Sequence, residues 1–241
     1  MVNYQYKDFY TVQDLLEIVR TLRGPGGCPW DQTQTHESIC RDFLEEVYEV
    51  MEAIERKDPV SLKEELGDVL LQVAFHTVLE SETNGLTLDD VADGVCKKLI
   101  YRHPHVFGDV TVSGTQEVLS NWEELKRKEK GQNTGAETME AVAKTLPALW
   151  RAEKVQKKAQ KAGYHWPEPD ALLNELSAQV ERLREAVTQD KDIDEELGAL
   201  LFTAVALARQ KRVDAEVALG EETDRFIRAF RGRESGAQST T

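Results

Sequence analysis

Apolar residues recur along most of the chain at steps of three and four, the period of a helix with one buried face. From 43 to 54 they are Phe43, Val47, Val50, Met51 and Ile54; from 62 to 73 they are Leu62, Leu66, Val69, Leu70 and Val73. Local signals agree with the period. Thr11 followed by Asp14, and Thr87 followed by Asp90, mark helix starts; Asp58-Pro59 offers an N-cap and a proline in the first turn. Asn84-Gly85 marks a stop. The pattern predicts helices over 11–23, 37–56, 59–83, 88–101, 116–130, 139–162, 170–188, 191–210 and 213–231, an all-α fold.

Two stretches interrupt it. Residues 103–114 (HPHVFGDVTVSG) read as a loop, and the polar run 131–138 (GQNTGAET) as the joint between two bodies. Lys63-Glu-Glu-Leu-Gly-Asp-Val-Leu-Leu71 is echoed by Asp194-Glu-Glu-Leu-Gly-Ala-Leu-Leu-Phe202, and Leu44–Glu49 can be laid over Leu173–Ala178. Such self-similarity predicts two tandem, related helical halves, 1–132 and 138–233, with a linker at 133–137 and a disordered tail at 234–241.

Composition narrows the function. Thirty basic against 44 acidic residues give a net charge of −14, which argues against stable binding to nucleic acid through phosphates. An anionic ligand would need a local cationic patch or a bridging metal. No apolar run approaches the length of a membrane span, and the first residues lack a charged start followed by an apolar stretch, so no export leader is expected. Three widely spaced cysteines, Cys28, Cys40 and Cys96, do not make a disulfide framework and fit reduced thiols in a cytoplasm.

The candidate chemistry is a set of carboxylates. Glu46 and Glu49 are three apart on one predicted helix, Glu65 and Asp68 three apart on the next, and each pair borders its helix's apolar stripe. A short connection near Lys57–Val60 predicts antiparallel packing, which brings the four together. Anions so placed repel unless a cation sits among them, and oxygen donors alone favour Mg²⁺ or, as a substitute, Mn²⁺. A solvated acidic face is the plainer alternative. The Glu-x-x-His pairs of di-iron bundles are missing. His103 and His105 have no soft companions for zinc. Trp30 could stack on a base or fix its loop on the bundle.

Glu45–Glu49 (EEVYE) followed by Glu65–Asp68 (ELGD) resembles the EExxE…ExxD signature of the all-α nucleoside triphosphate pyrophosphohydrolases of MazG type. Residues 26–39 (GGCPWDQTQTHESI), 102–110 (RHPHVFGDV), 121–130 (NWEELKRKEK) and 146–166 (LPALWRAEKVQKKAQKAGYHW) are also similar to segments of that family, as is the tandem layout. The CPWD and RHPHVF segments set the chain apart from neighbouring enzymes of the same fold, such as phosphoribosyl-ATP or dUTP/dCTP pyrophosphohydrolases. The resemblance implies Mg²⁺-dependent hydrolysis of a nucleoside triphosphate to the monophosphate and pyrophosphate, by a homodimer or higher assembly. It implies Glu46, Glu49, Glu65 and Asp68 as metal ligands. Glu45 is implied as a further ligand, a water positioner or a base, and Arg102 and Lys126 as groups that meet the phosphates.

The second half departs from the signature. Its matching positions are Glu175 and Ala178, then Glu196 and Ala199, and Asn174 stands where the leading glutamate would be. With two ligands lost it should bind metal weakly, and reads as a dimerisation or supporting domain. The competing view of the whole chain is a non-enzymatic helical protein, a nucleotide sensor or interaction module that has kept the bundle.

Overall fold

The computed structural model describes residues 4–238. They form twelve helices, with no strand among the described residues: α1 (Val12–Arg23), α2 (Pro29–Thr33), α3 (Cys40–Arg56), α4 (Pro59–Asn84), α5 (Leu88–Arg102), α6 (Pro104–Phe107), α7 (Thr115–Glu129), α8 (Gly135–Glu140), α9 (Ala148–Lys161), α10 (Pro169–Thr188), α11 (Asp194–Gln210) and α12 (Ala215–Gln238). The chain separates into two compact units between Ser113 and Gly114.

In the first unit, α1 starts on a capping box in which Thr11 and Asp14 bond each other's backbone N–H. Its face, Leu16 and Val19, packs with Ile39 onto Ala74, Phe75, Val78 and Leu79 of α4, closing the core. The loop after α1 is held by Arg23. Its guanidinium donates to both Glu82 carboxylate oxygens at 2.7 and 2.8 Å and to the carbonyls of Asp31 and Gln34 at 2.6 and 3.1 Å. It also lies over the Phe75 ring. Gly27 is required there, because a Cβ would come within 2.2 Å of the Leu22 carbonyl oxygen.

A tight turn joins α3 to α4. Lys57 takes the left-handed conformation (φ 55°) and Asp58 caps α4 by accepting from Val60 and Ser61 N–H at 3.0 and 3.2 Å. The two helices therefore run antiparallel, as the short connection predicts. Their apolar stripe is not sealed, however. Val47, Ile54 and Leu66 stay exposed, and Ala53 is the buried apolar residue of α3. On α5, Val91, Val95 and Leu99 make a further open stripe.

The second unit repeats the arrangement. α9 and α10 pack on α11 as α1 and α3 pack on α4. Gln156, fully buried, donates to the Phe202 carbonyl at 2.8 Å, and Gln179 donates to Thr203 at 2.9 Å.

Several expectations need correction. The described chain divides between Ser113 and Gly114, ahead of the expected linker, and α7 falls in the second unit, where Glu123 pairs with Lys161 at 2.5 Å. The expected linker is partly helical. Thr134 and Glu137 form a capping box that starts α8 inside it. A single helix over 139–162 does not form, because Pro147 cannot continue a helix and α9 starts after it. α12 runs to Gln238, into the expected tail; residues 239–241 lie outside the described residues. α2 and α6 are additional short helices, each begun by a proline at Pro29 and Pro104.

Candidate metal and active site

The carboxylates sit on the half of the α3–α4 hairpin that lies away from the apolar core. Glu49 precedes the turn at Lys57–Asp58 by about as much as Glu65 follows it, so an antiparallel pair sets them side by side. Glu46, Glu49 and Glu65 each present an oxygen, all within 4.8 Å of one another, and no other such group occurs among the described residues. Glu46 and Glu65 are half-buried and Glu49 is exposed.

The shifts of the two half-buried carboxyls come from burial and from other carboxylates. Burial raises the Glu46 carboxyl above its ordinary value, and Asp68, Glu49 and Glu65 raise it further. Burial also raises Glu65, with Glu49, Glu64 and Asp68 adding to it. Three hard oxygen donors so close together could hold a small divalent cation, and a trio without thiolate or imidazole would suit Mg²⁺ or Mn²⁺. Asp68 stands outside the trio yet acts on two of its members.

The other expected residues are placed as follows. Glu45 is exposed on α3, outside the trio. Arg102 ends α5 and is 6% exposed. Trp30 on α2 is 58% exposed. Lys126 belongs to α7 in the second unit, where it lines a cavity of about 800 Å³ with Lys158 and Lys161. In the second copy, Glu175 is held in an ion pair with Arg182 on its own helix at 2.8 Å. The carboxylate that matches Glu46 is thus neutralised by protein.

A polar row goes unremarked in the sequence reading. Asp68, Gln72, His76 and Glu80 follow at steps of four along one face of α4. His76 Nδ1 meets His36 Nδ1 at 2.8 Å, so one ring donates to the other; His36 Nε2 lies 3.2 Å from Glu80. The two rings stack, Phe43 flanks His76, and burial lowers the His76 pKa. Gln72 is buried, with its Oε1 unpartnered. The signal available in sequence was the four-residue step itself.

Residues 34–107, which contain the trio, match the model of the MazG nucleotide pyrophosphohydrolase domain. The chain is 39% identical over 225 residues to the nucleoside triphosphate pyrophosphohydrolase of Escherichia coli, covering 91% of this chain and 86% of that one. It is 39% identical over 222 residues to the nucleoside triphosphate pyrophosphohydrolase/pyrophosphatase MazG of Thermotoga maritima, covering 92% and 85%. A crystal structure of a mazG-related protein from Thermotoga maritima aligns with 48% of this chain and 98% of its own, at 29% identity and a TM-score of 0.41. With identity sustained over nearly the whole length of both chains, this protein belongs to the MazG nucleoside triphosphate pyrophosphohydrolase family.

Proposed function

We propose that this protein hydrolyses nucleoside triphosphates, ribo- or deoxyribo-, to the monophosphate and pyrophosphate, with Mg²⁺ and with its active site in the first unit. The observation that carries the reading is the trio of Glu46, Glu49 and Glu65 oxygens within 4.8 Å, two of them raised in pKa by burial and by the carboxylates around them. Asp68 completes the ligand set. These residues would hold a divalent ion, Mg²⁺ or Mn²⁺ in its place, which would offset the charge between carboxylates and polyphosphate and withdraw electrons from the phosphorus.

The chain's own residues do the rest. A water attacks the α phosphorus, the bond from that phosphorus to the bridging oxygen breaks, and pyrophosphate leaves. Glu45, exposed beside the ligands, takes the water's proton or orients the water. Arg102 neutralises charge gathering on the leaving pyrophosphate, and Trp30 offers an exposed face to the base. The second unit, with Ala178 and Ala199 at ligand positions and Glu175 paired to Arg182, supports the fold without catalysis.

The open stripes on α3 and α5 are the contact surface of a homodimer or higher assembly. Three unpaired cysteines support a reducing cytoplasm, and a net charge of −14 supports the lack of nucleic-acid binding. Among the described residues, no helix is long and apolar enough to cross a membrane. Glu49→Gln and Asp68→Asn each remove one anionic oxygen and keep the shape. Turnover should fall at least about a hundredfold in each, with helical circular dichroism unchanged. A variant that keeps half the activity removes that residue from the ligand set.

A further inference from the structure

The second unit has a polar cavity that the reaction above does not use. It measures about 450 Å³ and lies between the end of α11 and the turn from α9 to α10. Arg209 and Arg212 line it with His165, Tyr164 and Trp166, and Glu168 is the acid among its lining residues. In a chain of net charge −14 this is a locally cationic place.

Arg209 is the unusual member. Its Nη1 donates to the Gln160 side chain, but Nε and Nη2 are shut from solvent with no hydrogen-bond partner. A buried guanidinium with donors unmet is costly. The Trp166 ring, 5.4 Å from its centre, offsets part of that cost. The acid that acts on it, Glu153, is already paired with Lys157 at 2.5 Å. Burial holds the Arg209 pKa below the ordinary arginine value. Because Arg209 lines the cavity, an anion seated there would offer its unmet guanidinium a partner.

The rim supplies the rest of a ligand site. Arg212 sits just past the end of α11 in the left-handed conformation, φ 59°, a position that favours glycine. Tyr164 is 54% exposed and meets Trp166 edge to face at 4.8 Å. Forked donors suit a phosphate, an exposed aromatic face suits a flat base, and the volume is that of a small-ligand pocket.

We propose that this cavity binds a nucleoside monophosphate, with Arg209, Arg212 and His165 on the phosphate and Tyr164 against the base. The second unit, having lost its metal carboxylates, thereby keeps a metal-independent nucleotide site. This holds whichever reaction the first unit performs, so the two readings fail separately.

The test is isothermal titration of the full chain with AMP in EDTA. Without a divalent ion, the carboxylates of the first unit repel AMP, so heat reports the second unit. Expected is one AMP per chain, inorganic phosphate binding at least about tenfold more weakly, and adenosine not binding. Arg212→Gly removes the charge and relieves the left-handed backbone. It should weaken AMP by at least about tenfold while the thermal midpoint holds or rises. Arg209→Gln should abolish binding, and Glu49→Gln should leave it unchanged. No AMP binding in EDTA, equal binding by Arg212→Gly, or loss on Glu49→Gln would overturn the proposal. Phosphate binding as tightly as AMP would overturn the nucleoside assignment.

Discussion

At the scale of single residues, the site is a balance of like charges. Burial and mutual repulsion raise Glu46 and Glu65 above their ordinary 4.5, so the folded chain takes up protons there that the unfolded chain would release. The sign follows by linkage. Their contribution to stability is fully present below pH 4.5 and is lost as pH rises through the folded values. Asp14 behaves oppositely. Lys7 and the Thr11 cap lower it to about 2, so its contribution is present above the unfolded value of 3.8 and is lost as pH falls toward 2. In EDTA these two groups should therefore lower the thermal midpoint as pH rises from 4.5 to 7, against His76, whose lowered pKa acts in the opposite sense, and Mg²⁺ should raise the midpoint at pH 7. Glu49→Gln should be more stable than wild type in EDTA and should lose the Mg²⁺-induced rise; equal Mg²⁺ shifts in both would refute a cation seat. The trio was legible because three- and four-residue spacing on consecutive helices fixes a face. The His36–His76–Glu80 cluster was not. It depends on a turn before α3 folding back onto α4, a contact between residues far apart in sequence.

At the scale of elements, the long helices follow from period and caps. Thr11, Asp58 and Thr87 start α1, α4 and α5 where their sequence patterns place them. The short elements were hidden, because α2, α6 and α8 span too few residues to show a period and arise from proline starts or a local capping box. Arg23 ties the segment from Gly24 to Gln34 to α1 and α4, in addition to that segment's own turn and side-chain hydrogen bonds. Arg23→Met, which keeps the apolar stem and removes the Glu82 pair and both carbonyl bonds, should cost about 2 kcal/mol in urea unfolding. Gly27→Ala should destabilise as well, since its Cβ would lie 2.2 Å from a backbone oxygen that cannot retreat. An unchanged midpoint in Arg23→Met would show that the loop is held by something else.

At the scale of the whole molecule, two units share one architecture and differ in charge placement. The repeat was readable because Leu-Gly and its flanking glutamates survive in both copies; the place of α7 in the second unit has no periodicity behind it in the sequence. Glu175→Gln with Glu196→Gln should leave turnover nearly unchanged, whereas Glu46→Gln with Glu65→Gln should abolish it; a sharp loss in the first pair, with assembly intact, would move the working site to the second unit. The claim that a cation-dependent site cleaves between the α and β phosphates is tested most directly by the ³¹P spectrum of an ATP or dGTP digest by the full chain, run with Mg²⁺ and again with EDTA. Resonances of the nucleoside monophosphate and pyrophosphate should grow together with Mg²⁺ and stay absent with EDTA. Accumulation of the nucleoside diphosphate with orthophosphate, or equal turnover in EDTA, would contradict it.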